Sequence, residues 1–277
     1  MDNRPIGFFD SGLGGLTCIP YLLHALPNER IVYFGDTART PYGSKAPSTI
    51  RKFATEITDF LVGSLDVKMV AIACNTVSAV ALDDLRTRHP ETPVLGIISP
   101  ASHTVAKICS PENNIGVIGT KATIESDVYT KKILALNPGL SIYQQACPAL
   151  VPLIEEGISD NRIMDLTIGY YLDSLNADNG IDTLVLGCTH YPLIRENINR
   201  LYPGLRIVNP SEVILESISA ALENGGLSAD KQAPDHVFYA SDLSENFMNM
   251  INLIFSGTGC ADTFKNIDLE SFPERKV

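Results

Sequence analysis

A chain of 277 residues, 45% of them hydrophobic, is long enough for about two domains with substantial buried cores. A net charge of −11 and a pI near 4.9 set it against phosphate backbones and anionic lipid, which argues against nucleic acid or a membrane surface as a main partner. No basic segment followed by an apolar stretch opens the chain, and no apolar run approaches the ~18 residues of a bilayer span, so a cytoplasmic protein with reduced thiols is expected.

In chain order, short β-branched and aromatic runs at Ile6–Phe9, Ile31–Phe34, Met69–Ala73, Val94–Ile97, Ile115–Ile118, Leu184–Gly187 and His236–Tyr239 predict strands. Several are apolar throughout, the pattern of a strand covered on both faces. Between them, Ile50, Phe53, Ile57 and Phe60 share one helical face, as do Leu193, Ile194, Ile198 and Leu201. This alternation predicts α/β layers with parallel sheets. The segment Ile6 to Gly12 resembles Ile115 to Lys121 at an offset of 109 residues, and Ala71 to Thr76 resembles Val185 to His190 at an offset of 114. Near-equal offsets imply that one half repeats the other, hence two pseudo-symmetric α/β domains with the site in the cleft between them. Ser99-Pro100 and Asn209-Pro210 mark the crossovers. The expected division is residues 1–98 plus 210–277 in the first domain and 99–209 in the second. The tail Ala261–Val277 has little pattern and is expected to lie on the surface.

Six cysteines, Cys18, Cys74, Cys109, Cys147, Cys188 and Cys260, include no C-x-x-C pair, so neither a zinc ribbon nor a redox motif is signalled. Cys74 and Cys188 each end an apolar run and precede small polar residues and a helical pattern. At the carboxyl ends of parallel strands, both thiols are expected to point into the cleft. A helix beginning just after each offers free N–H groups and a positive dipole end. That field is expected to lower the thiol pKa from about 8.5 toward neutrality and to hold a carboxylate. Two such sulfurs suit removal of a proton from one face of a carbon and its return to the other, one group acting as base and one as acid. Buried, inert cysteines are common; the matching contexts beside Asn, Thr and His favour chemistry for this pair, and the other four are expected to be structural.

Phe9-Asp10-Ser11-Gly12-Leu13-Gly14-Gly15 follows the first strand. It lacks the G-x-G-x-x-G spacing of a dinucleotide site, and Asp10 would repel a pyrophosphate. An acid here suits a cationic group such as an ammonium, or tuning of a thiol; Asp10 and Ser11 also serve as helix caps. Pro41-Tyr42-Gly43 is either an ordinary turn or a loop closing over a ligand. His190, two residues from Cys188, fits a proton relay, a nucleophilic Cys–His pair or one edge of a metal site, although two further zinc ligands are not found at the required spacing. His24, His89, His103 and His236 lack such company. Glu155 and Glu156 form either a solvated face or one group reaching the cleft.

Together, Phe9–Gly15, Tyr33–Asp36 with Pro41-Tyr42-Gly43, Cys74-Asn75-Thr76, Val117–Thr123, Leu150–Glu155 and Gly187–Leu193 resemble the glutamate racemase family, in the family's order over roughly the first two-thirds of the chain. The resemblance implies a two-domain α/β enzyme that interconverts L-glutamate and D-glutamate without pyridoxal phosphate, metal or other cofactor, supplying peptidoglycan synthesis in the bacterial cytoplasm, as a homodimer. It implies that Cys74 and Cys188 are the acid/base pair, supported by Asp10 and His190, with Glu155 assisting at the second cysteine. It assigns substrate contact to Asp10, Ser11, Pro41, Tyr42, Gly43, Asn75, Thr76, Thr120, Thr189 and His190. Because the sequence begins almost at its first strand, activation by a cell-wall precursor, which accompanies an N-terminal extension in the family, is not expected. Three rivals remain: a racemase for aspartate or another acidic amino acid, a cysteine hydrolase using Cys188 with His190, and a non-catalytic amino-acid sensor.

Overall fold

The computed structural model describes residues 1–230, 236–245, 248, 249, 251, 264–267 and 269. From the N-terminus, β1 (Ile6–Asp10), α1 (Ile19–Ala25), β2 (Ile31–Gly35), α2 (Pro47–Asp59), β3 (Met69–Ile72), α3 (Asn75–Val80), α4 (Leu82–Arg88) and β4 (Val94–Gly96) come first. Next come α5 (Ile98–Ile108), β5 (Asn114–Gly119), α6 (Lys121–Glu125), α7 (Val128–Leu136), β6 (Ser141–Ala146), α8 (Leu150–Glu155), α9 (Arg162–Asn179), β7 (Thr183–Gly187), α10 (Arg195–Leu201) and β8 (Arg206–Val208). They are followed by α11 (Pro210–Asn224), β9 (Val237–Ala240) and β10 (Phe264–Asn266).

The strands form two parallel sheets, ordered β10-β9-β2-β1-β3-β4 and β6-β5-β7-β8. The run β2-β1-β3-β4 has the same order as β6-β5-β7-β8. The segments that resemble each other in sequence therefore occupy equivalent places: β1 matches β5, and Cys74 and Cys188 follow β3 and β7. After the second sheet the chain returns to the first, where β9 pairs with β2 from Val32↔Val237 to Gly35↔Ala240. Cys260 and most of the tail lie outside the described residues.

Alternate residues of the first sheet face different cores, as a two-residue side-chain period requires. Phe9, Val32, Phe34, Val70 and Ile72 pack with Ile50, Ala54, Ile57, Val77 and Leu85 of α2–α4. On the opposite face, Ile6, Phe8, Tyr33, Met69 and Ala71 join a core continuous with Ile115, Val117, Leu184, Val185 and Leu186 of the second sheet. Each fully buried aliphatic or aromatic side chain contributes about 1.5–3 kcal/mol. Three helices, α6, α9 and α11, start where a side chain accepts from their free N–H groups. Thr120 Oγ1 accepts from Thr123 N, Asn161 caps α9, and Asn209 caps α11 ahead of Pro210. Pro100 sits in the first turn of α5, where its missing N–H costs nothing.

Three strands were not anticipated. Strand β6 lies at the sheet edge, half-buried and carrying Gln144 and Gln145, so it shows no continuous apolar run. Strands β8 and β10 span three residues each. The predicted helical face Leu193–Leu201 divides into a 3-10 turn, Tyr191–Ile194, and α10, with Pro192 in the turn. Among the described residues, no helix is long and apolar enough to cross a membrane.

At the amino ends of the first sheet's strands, Lys68 is buried with its Nζ 2.5 Å from Glu29 Oε2 and 2.7 Å from the carbonyls of Asp2 and Leu227. Glu29 Oε1 accepts from Ala229 N at 2.8 Å. The ammonium thus ties the N-terminal segment, the turn before β2 and the chain leaving α11. Lys68→Met strands a buried carboxylate, and the expected loss of about 3–5 kcal/mol is read from urea unfolding midpoints.

Candidate active site

Parallel strands aim their backbones the same way, so the residues that follow them collect at one edge. Asp10 ends β1, Cys74 follows β3 by one residue, Thr120 follows β5 and Cys188 follows β7. The carboxyl edges of the two sheets meet. Thr189 Oγ1 donates to Asp10 Oδ1 at 3.5 Å, Thr76 and Thr120 hydroxyls lie 3.0 Å apart, and Tyr129 OH donates to Asn75 Oδ1 at 2.6 Å. Each contact joins a residue near the first sheet to one near the second.

Two close approaches depend on glycine. A Cβ on Gly14 would stand 2.2 Å from Thr189 Oγ1 and 2.7 Å from His190 Nδ1. One on Gly43 would stand 2.4 Å from Thr120 Cβ. Only a residue without a side chain lets the halves meet this closely.

Asp10 is fully buried. Its Oδ2 accepts from Gly15 N at 2.9 Å and Gly12 N at 3.3 Å, which explains an acid followed by a glycine-rich turn. Ser11 receives the Cys74 thiol at 3.4 Å. The Asp10–Ser11 pair therefore touches Cys74 on one side and the Thr189 neighbour of Cys188 on the other.

The two thiols have different surroundings. Cys74 is 3% exposed, and burial followed by the Asp10 charge pushes its pKa up to about 12, against the weaker pull of Ser11 and nearby N–H groups. The expected lowering by a helix end is thus overturned for Cys74: α3 is short, while desolvation and a neighbouring anion oppose ionisation. Cys188, 5% exposed, is followed by a turn and then the 3-10 segment rather than by an immediate α-helix. Its Sγ lies 3.8 Å from His190 Nδ1, and His190 Nε2 lies 3.0 Å from Glu155 Oε1 at the end of α8. Burial opposes charge on His190, but hydrogen bonds to Cys188 and Glu155 outweigh it and raise its pKa to about 10. Glu155 enters this row, whereas Glu156 is solvent-exposed.

The remaining predicted site residues divide. Asn75, Thr76, Thr189 and His190 are buried at the meeting edges. Thr120 joins Thr76 and Thr123 in a cluster of three hydroxyls. Pro41 follows a cis peptide bond and is exposed, and Gly43 abuts Thr120. Tyr42 is buried in the same core cluster as Cys74, and its hydroxyl donates to Asp36 Oδ2. Asp36 also receives Arg39 Nε at 2.7 Å and Ser241 Oγ at 2.9 Å. Ser241, just after β9, also accepts from Ala38 N at 2.9 Å, so the returning strand fixes the Pro41–Gly43 loop. Neither Ser241 nor Tyr129 was anticipated, because each acts across a long sequence separation without a local motif. Cys18, Cys109 and Cys147 are buried free thiols outside the hydrogen-bonded rows around Cys74 and Cys188. Among the described residues, no group of three His, Cys, Asp or Glu side chains is arranged to hold a metal.

The family model for Asp/Glu/hydantoin racemases matches residues 18–218. A glutamate racemase from Sulfurihydrogenibium is 44% identical over 90% of this chain and 93% of its own length. The chain belongs to the glutamate racemase family. It is accordingly an isomerase. A family member from Neisseria meningitidis is 45% identical over 88% of this chain and 90% of its own. The crystal structure of a glutamate racemase from Francisella tularensis in complex with D-glutamate matches with a TM-score of 0.90 at 37% identity, covering 98% of this chain and 100% of that one.

Gly14→Ala inserts a methyl where Thr189 and His190 stand and forces the two edges apart. A displacement near 1 Å is expected to lower kcat/KM at least about 100-fold, measured by racemisation, and the overpacking to cost about 1–3 kcal/mol of stability in urea unfolding. The raised pKa of His190 gives a second test. Below the ordinary value of 6.5, folded and unfolded chains are both protonated and the pairing contributes fully. Between 6.5 and about 10 the unfolded chain releases its proton first, so stability falls as pH rises. His190→Gln is expected to flatten that decline in unfolding midpoints measured from pH 6 to 9.

Proposed function

We propose that the protein interconverts L-glutamate and D-glutamate without a cofactor, Cys74 and Cys188 serving as acid and base on opposite faces of the α-carbon. The observation that carries this reading is the placement of the two thiols at equivalent strand ends, joined through Asp10, Ser11 and Thr189 inside one buried site. The D-glutamate bound to the Francisella relative supports the choice of substrate. The further expectations are a cytoplasmic homodimer that provides D-glutamate for peptidoglycan. The proposed domain division, 1–98 with 210–277 and 99–209, follows the return of β9 to the first sheet.

In the proposed reaction one sulfur, as thiolate, takes the α-proton, and the electron pair left on carbon spreads into the α-carboxylate. The opposite thiol then delivers its proton to the other face. The product leaves with inverted configuration and the two sulfurs have exchanged protonation states. At neutral pH the substrate-free site holds Cys74 as the thiol, the acid form. In the direction that begins with Cys188 as the base, a protonated His190, braced by Glu155, directs an N–H toward the sulfur's negative charge. Substrate carboxylates are assigned to the hydroxyls of Thr76, Thr120, Thr189 and Ser11 and to the amide of Asn75, and whichever hydroxyls hold the α-carboxylate bind more strongly as charge moves onto its oxygens. Pro41, Gly43 and the buried Tyr42 are assigned to the wall of the same site, and Asp10 to the ammonium side. With both thiols nearly excluded from solvent, admission of glutamate requires the two edges to part, and their return excludes water.

The row Cys188–His190–Glu155 also has the connectivity of a nucleophilic triad. Cys74 separates the two chemistries. Cys74→Ala and Cys188→Ala are each expected to lower racemisation at least about 100-fold in both directions, followed by circular dichroism of each enantiomer in D₂O, while glutamate binding persists. A hydrolase would keep its activity in Cys74→Ala and trap a thioester at Cys188. Near-wild-type racemisation by either variant defeats the two-thiol mechanism.

A further inference from the structure

We infer that Tyr129 is a positioning residue that orients the Asn75 side chain, engaging its oxygen and leaving its amino group to donate to a carboxylate of the substrate. The inference rests on the racemase reading above, because the carboxylate it invokes belongs to that substrate.

Tyr129 lies on α7, in the half built on the second sheet, and is fully buried. Its hydroxyl donates to Asn75 Oδ1 at 2.6 Å. Asn75 is the first residue of α3, directly after Cys74, and is 2% exposed. Its Nδ2 is enclosed and has no hydrogen-bond partner. Buried donors are almost always paired, and one left open beside a reactive sulfur is explained by a ligand that completes it. A carboxylate oxygen is the chemistry that an amide N–H₂ satisfies.

The amide of asparagine is nearly symmetric in shape, so packing alone scarcely distinguishes its two orientations. A hydroxyl hydrogen does distinguish them. Burial holds the phenol proton in place far above the ordinary tyrosine range, and that proton is directed to Oδ1. The nitrogen then takes the opposite side. Tyr129 also lies beside the strand that leads to the other cysteine: a Cβ on Gly187, the residue before Cys188, would meet its Cε2 at 3.3 Å. One side chain therefore bonds the residue after Cys74 and flanks the residue before Cys188, and its hydrogen bond joins the two edges.

Tyr129→Phe removes a single oxygen and keeps the ring against Gly187. The test is racemisation of L- and D-glutamate by wild type, Tyr129→Phe, Asn75→Ala and the double variant. Calorimetric titration of glutamate and thermal unfolding are run on the same four proteins. The expected result for Tyr129→Phe is a rise in KM of about 5- to 20-fold for both enantiomers, with kcat changed less than about threefold and Tm nearly constant. In the Asn75→Ala background the same change is expected to add nothing, since its effect passes through that amide. Unchanged KM and Kd in Tyr129→Phe overturn the inference, as do effects that multiply in the double variant. If wild type binds glutamate but racemises neither enantiomer, the racemase reading fails while the binding cycle still decides Tyr129. If wild type binds no glutamate, both fall.

Discussion

The carboxylate of Asp10 has no contact with solvent, so its charge must be met from within the protein. Two backbone N–H groups of the turn that follows supply one oxygen, and a hydroxyl from the other half of the molecule supplies the other. This requirement shapes the neighbourhood. The turn must fold back tightly on the end of β1, which brings Gly14 against Thr189 and His190 and Ser11 against Cys74. The same negative charge acts on the sulfur beside it and adds to the larger effect of burial in keeping the Cys74 proton in place.

The repeated sheet order provides two similar strand ends, yet the sites built on them differ. After β3, a short helix begins at once and its first residue is gripped by Tyr129. After β7, a turn carries His190 back toward the sulfur, and α8 brings Glu155 behind it. Shared topology places the sulfurs, and local turn chemistry gives each its own partners. A reaction that runs in both directions needs equivalence only in position, because protons can be supplied and withdrawn by different neighbours on the two sides.

Much of this architecture can be read from the amino acids alone, for identifiable reasons. Strands buried on both faces leave unbroken apolar runs, and all seven expected ones form within a residue or two of their predicted limits, β3 ending at Ile72 and β9 starting at Val237. The edge strand β6 escapes because Gln144 and Gln145 interrupt any such run. Cys74, Cys188, Asp10 and His190 stand out because chemically distinctive residues follow strands. The partners that orient them do not. Tyr129 and Ser241 are 54 and 205 positions from the residues they hold, and nothing in their own sequence neighbourhood marks the contact. The sense of the Cys74 pKa shift is hidden for a related reason, since a helix end is visible in sequence while the depth of burial and the aim of a carboxylate are properties of the folded chain.

The near-complete enclosure of the two sulfurs also bears on their chemical durability. Thiolates are consumed by peroxides and alkylating agents at rates set by ionisation and access. Cys74 retains its proton and is 3% exposed, and Cys188 is 5% exposed. In this closed arrangement small electrophiles are kept from either sulfur, and the opening proposed for substrate entry would admit them as well. In the proposed reaction, the fraction of time spent open would set both the rate at which substrate is admitted and the rate at which the two thiols are worn away. On the two-thiol reading, the close fit of Gly14 and Gly43 against the opposite half ties readiness for reaction to protection from oxidation.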